Sequence, residues 1–92
     1  VTAEIEALLA ELRALPDLRP AGPQEARALL ARVRSAAGRW ADVLYEVQES
    51  THGLVGPRTA TALETAFRRA EESYVELEIA LADTTPRTRP GA

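Results

Sequence analysis

Four groups of residues in this chain have types and spacings that could carry chemistry. Glu49 and His52 stand three apart, the Glu-x-x-His spacing with which one helix of a di-iron carboxylate bundle presents two ligands to metal held between facing helices. Ser50 lies two residues before His52, which brings a hydroxyl nucleophile and an imidazole base close in sequence. Glu71, Glu72, Glu76 and Glu78 could pair as general acid and base. Arg27, Arg32, Arg34 and Arg39, with Trp40 beside them, form the sizeable basic cluster of the chain.

Helical geometry weighs against each group. At about 100° per residue, Glu49 points about 200° away from Val47 and His52 about 140° away, so both leave the apolar face on which a bundle would hold its metal. Glu49 and His52 therefore stay weak metal candidates, and neither a metal nor another cofactor is expected. Residues two apart on a helix do not face each other, so His52 is badly placed to take the Ser50 proton, and a capping role for Ser50 follows. The run of glutamates reads as a solvated face with arginine partners across the fold. Stacking on a nucleic acid would need Trp40 splayed outward, whereas the apolar spacing puts it in the core; a net charge of −3 also repels a polyanion, so no nucleic-acid partner is expected. No catalytic residue is assigned. A metal-binding bundle, and a small helical enzyme entered through Arg34 and Arg39, remain the alternatives from other classes.

Composition sets the frame for these residues. The chain has 92 residues, 46% hydrophobic and 27% charged, which describes one small folded domain with a modest core and a use for further burial by self-association. It has no cysteine, so disulfides, thiolate nucleophiles and Cys-based metal sites are excluded. All 11 basic residues are arginine. That rules out a lysine Schiff base or Walker-type phosphate loop, and together with the abundant alanine it points to a bacterial genome of high GC content. No apolar run approaches the ~18 residues that a membrane span needs, and VTAEIEALLAEL has acids where a signal peptide carries bases. A cytoplasmic location is expected, with secretion by a signal-peptide-independent route as the alternative.

The spacing of apolar residues predicts an all-α fold of three helices. Ile5, Leu8, Leu9, Leu12 and Leu15 share one side of a helix over residues 3–15, with Thr2 as its cap and Pro16 as its stop. After the turn-rich PDLRPAGP, Gly22-Pro23 opens a long helix over 23–51, whose Ala26, Leu30, Val33, Ala37, Trp40, Leu44 and Val47 alternate steps of four and three. Gly53 is placed for a left-handed cap, and Gly56-Pro57 repeats the start signal for a helix over 57–83 carrying Leu63, Phe67, Ala70, Tyr74, Leu77 and Leu81. These make one helical domain, 1–83, followed by a tail, 84–92, whose two prolines and lack of periodicity predict disorder.

Folding the two long helices back on each other sets positions summing to roughly 108 side by side. Arg27, Arg32, Arg34 and Arg39 then face the stretch with Glu71, Glu72, Glu76, Glu78 and Asp83, a pattern that selects an antiparallel hairpin more than it stabilises one. The first helix is too short to cover the whole apolar groove of this hairpin. Leu29, Ala36, Gly38, Trp40, Val43, Val75 and Ile79 are the expected interaction surface, with the Ser35-Ala36-Ala37-Gly38 run as a close-crossing point. A second copy, giving a four-helix-type bundle in a homodimer, is the simplest cover, and another helical protein is the other.

Tyr74-Val75-Glu76-Leu77-Glu78, carried on a helical hairpin of this length, resembles the Tyr-x-x-x-Asp/Glu export motif of the WXG-motif (ESX) proteins of type VII secretion. The likeness covers the hairpin only. The turn reads His52-Gly53-Leu54-Val55-Gly56 in place of Trp-x-Gly, a first helix is added, and Tyr74 falls within the apolar repeat. The resemblance implies a secreted helical hairpin whose export depends on Tyr74 and Glu78. The residues themselves point to a non-catalytic interaction or assembly module that pairs with itself or docks on a partner through an apolar helical face.

Overall fold

The computed structural model describes residues 2–15 and 19–83, with helices joined by turns and bends and no strand among them. The expected stop at Pro16 and the expected disordered tail, 84–92, lie outside the described residues. Helix α1 runs Thr2–Arg13, α2 runs Pro23–Ser50 and α3 runs Pro57–Ala82. Thr2, expected as a cap, is already helical.

Local chemistry accounts for where the long helices begin and end. Gly22 and Gly56 are both extended and each hands over to a proline in the first helical turn, where a missing N–H leaves nothing unpaired. The Glu25 carboxylate accepts a hydrogen bond from the Ala21 N–H at 3.3 Å, tying the incoming chain to the first turn of α2. At the other end Thr51 closes α2. Its N–H reaches the Val47 carbonyl at 3.0 Å and its Oγ1 donates to the same carbonyl at 2.8 Å. Gly53 then reverses the chain with φ 78°, a left-handed conformation that costs glycine little.

Helices α2 and α3 pack antiparallel. Arg27 Nη1 donates to the Leu81 carbonyl at 3.2 Å, and nearer the turn the Tyr45 and Phe67 rings meet at 5.5 Å between centroids, tilted by 52°. Midway, a Cβ on Gly38 would stand 3.1 Å from Tyr74 Cε1, so the ring lies against bare backbone. The stripe of α2 turned to α3 is therefore Arg27, Gly38, Ala41 and Tyr45, about one residue round the helix from the expected seam of Ala37, Trp40 and Leu44. Small side chains let α3 approach closely, whereas an indole at the contact would hold the axes apart.

The expected ion pairs of Arg32 and Arg39 with α3 depend on the unrotated register and are not made. Arg32, Arg34 and Arg39 form no ion pair among the described residues; Arg68 bonds Glu64 at 2.7 Å within α3 instead. The rotation carries Arg32 and Arg39 more than about 100° round α2 from the Gly38–Tyr45 stripe.

Helix α1 packs on α2 and not on α3. It does not lie in the apolar groove of the hairpin. Ala3, Glu4, Ala7 and Glu11 approach Ser35, Arg39, Asp42 and Glu46, on the flank of α2 away from α3, and α1 runs antiparallel to α2. The three helices thus lie side by side with α2 in the middle. The molecule measures 59 × 28 × 15 Å with a radius of gyration of 16.8 Å, against about 12 Å for a compact chain of this length. A flat layer has little interior: the buried residues are Ala36, Ala41, Val43, Ala70 and Leu81, and no described side chain is fully buried.

Candidate interaction surface

The residues expected to form one surface are distributed over three places. Val43, 5% exposed, and Ala36 belong to the chain's own core, on the stripe of α2 that α1 covers. Gly38 lies under Tyr74 and serves contact with α3. Val75 and Ile79 are exposed, at 50% and 57%, but the helical period puts them on the outer flank of α3, turned from α2. Trp40, 48% exposed, and half-buried Leu29 remain. The expected core position of Trp40 is corrected by the rotation of α2, which brings small residues to α3 and leaves the indole outside.

Trp40 stands at the middle of a coherent face. At about 100° per residue, Ala26, Leu29, Leu30, Val33, Ala37, Trp40, Leu44 and Val47 fall within one arc of roughly 100° on α2. From Ala26 to Val47 that arc holds no charged residue. Leu29, Leu30, Val33, Leu44 and Val47 are only partly covered. Beside it α1 leaves Ile5, Leu9 and Leu12 42%, 42% and 45% exposed; Ile5 and Leu12 stand about 100–120° round α1 from the recess-lining Glu11 and extend the apolar face, with Leu9 at its outer edge.

The shared apolar side expected of α1 is thus only partly covered. A signal for this exposure exists in the sequence: Ile5, Leu8, Leu9, Leu12 and Leu15 span an arc wider than one helix contact covers, and a single neighbour leaves part of it open.

The opposite side of the layer is polar. Between α1 and α3, over the middle of α2, lies a recess of about 400 Å³ lined by Glu11, Ser35, Gly38, Arg39, Ala41, Asp42, Glu71 and Tyr74. Glu11 Oε2 is buried there without a hydrogen-bond partner. Among the described residues no three His, Cys, Asp or Glu side chains converge so as to hold a metal ion. Glu49 and His52 are both exposed, with the His52 N–H bonded to the Glu49 carbonyl at 3.3 Å as part of the turn. Ser50 Oγ donates to the Val47 carbonyl at 3.2 Å, a bond to its own helix and not to the imidazole. Tyr74 of the export-like motif is half-buried against Gly38, while Glu78 is exposed. No described helix is long and apolar enough to cross a membrane.

No protein family, curated protein or solved structure matches the chain.

Proposed function

We propose that this protein is a non-catalytic assembly module, whose working surface is the apolar face of α1 and α2 centred on Trp40. One observation carries the reading. A domain normally closes two layers of secondary structure over a shared core, and this chain supplies one layer with an uncharged face. A protein partner covering Ile5, Leu9, Leu12 and Trp40 would supply the second layer. The finer expectation of a four-helix-type bundle belongs to this proposal too, and the flat arrangement changes it: two layers of three helices would enclose the core.

Trp40 is the single tryptophan of the chain, so its fluorescence reports on the face directly. Absolute mass by light scattering over a concentration series, read alongside Trp40 emission and its quenching by acrylamide, tests the proposal. The expected result is that emission shifts to the blue and quenching falls as complexes form. Association that leaves the Trp40 signal unchanged would assign assembly to another surface.

A further inference from the structure

We infer that the apolar face is occupied by a second copy of this chain, packed face to face about a two-fold axis that crosses α2 between Gly38 and Arg39. The inference rests on the assembly reading above and adds the partner and the register. In an isologous pair residue i meets residue j and j meets i, so the pattern along α2 must complement its own reverse. It does so for positions summing to 77. Trp40 then meets the partner's Ala37, Val33 meets the partner's Leu44, and Leu30 meets the partner's Val47. Each indole sits over a methyl group, and branched or long aliphatic residues fill the positions on either side. The parallel alternative sets Trp40 against Trp40 and Ala37 against Ala37, alternating crowding with voids.

Helix α1 provides an independent check. It runs antiparallel to α2, with Glu11 lining a recess beside Ser35, Arg39 and Asp42 and with Ala3, Glu4 and Ala7 lining another beside Arg39, Asp42 and Glu46, which puts the C-terminal half of α1 level with the proposed axis. The same two-fold therefore stacks the end of α1 that carries Leu8 and Leu12 on the same end of the partner's α1. No charge on α2 enters between its pairs.

The size is also right. From Leu30 to Val47 the face of α2 is about 26 Å long at ~1.5 Å per residue and about 10 Å wide, and α1 doubles that width over the ~18 Å spanned by its 12 residues. That flat footprint of ~440 Å², enlarged by side-chain relief, approaches the ~800 Å² that each partner gives to a standard interface.

The absence of cysteine makes a clean test. Val33→Cys and Leu44→Cys chains are prepared separately, checked for unchanged helicity by circular dichroism, and oxidised alone and mixed. In the proposed register Val33 and Leu44 of different chains are neighbours. Equivalent residues are offset by eleven positions, about 16 Å, beyond the ~7 Å between Cα atoms that a disulfide tolerates. The mixture should cross-link and neither variant alone should. Leu30→Cys with Val47→Cys repeats the test should the first pair perturb folding. Self-linking of each variant means a parallel pair and overturns the register. No linking in either mixture, with a monomeric wild-type mass, overturns the second copy as occupant. Neither result touches the face itself, which is judged separately by the Trp40 signal in whatever complex the chain forms.

Discussion

Replacing Trp40 by alanine separates the exposed face from the rest of the molecule. Trp40 is 48% exposed; for a tryptophan side chain of about 250 Å², some 120 Å² is left for a partner to cover. At ~25 cal/mol per Å² that burial contributes about 3 kcal/mol per chain and about 6 kcal/mol in a two-fold pair. Association retains only part of such a gain, because ordering and imperfect desolvation oppose it. Keeping half leaves ~3 kcal/mol, which at ~1.4 kcal/mol per factor of ten weakens the dimer about 100-fold. The control is Tyr45→Ala. Tyr45 is 47% exposed, equal in exposure and also aromatic, but it lies against Phe67 on the other side of the layer. Its removal should change the dimerisation constant by no more than about threefold, while costing the chain about 1 kcal/mol of its own stability. Sedimentation equilibrium on the wild type and both variants gives the constants, and circular dichroism at the same concentrations shows whether each stays helical. Equal weakening by the two substitutions, or none by Trp40→Ala, would refute the assignment of the face.

The remaining predictions concern residues that the fold moves off that face. Val43→Asp puts an unpaired charge at a buried site, and should cost about 3 kcal/mol or more and abolish helicity at every concentration; Val75→Asp, on the open flank of α3, should stay within about 0.5 kcal/mol and leave association intact. Thermal melts followed by circular dichroism compare the two. At Gly38 an alanine gains about 1 kcal/mol of helix propensity but forces the Tyr74 ring back from contacts of 3.1 and 3.3 Å, so its net effect should lie within about 1 kcal/mol. Gly38→Val drives further methyl groups into that ring and should cost about 1–3 kcal/mol. Urea midpoints decide it, and a valine tolerated without loss would mean that α3 does not approach α2 as closely as described.

Much of the secondary structure is written in local chemistry. Proline after an extended glycine starts α2 and α3, Gly53 supplies a left-handed turn, and apolar steps of three and four mark the helices between them. Each of these depends on a few neighbouring residues, so it can be read without knowing what the helix touches. The antiparallel hairpin is legible for a related reason: a short turn between two long helices leaves the chain little choice but to fold back.

Which face of α2 meets which helix is a different kind of question. Its apolar seam and its small-residue stripe lie about one residue apart, and either could face α3. Close approach decides between them, because Gly38 and Ala41 admit the Tyr74 ring and Trp40 would not. That rotation takes Trp40 out of the core, carries Arg32 and Arg39 away from the glutamates of α3 and gives Val43 to the interior. The flank taken by α1 is likewise a matter of competition among surfaces far apart in sequence. The sequence by itself therefore determined three helices, their ends and the direction of the hairpin. Only the tertiary structure decided that they lie in one layer, with an apolar face left open, because side-chain size at a helix crossing acts between segments and leaves no periodic trace in either one.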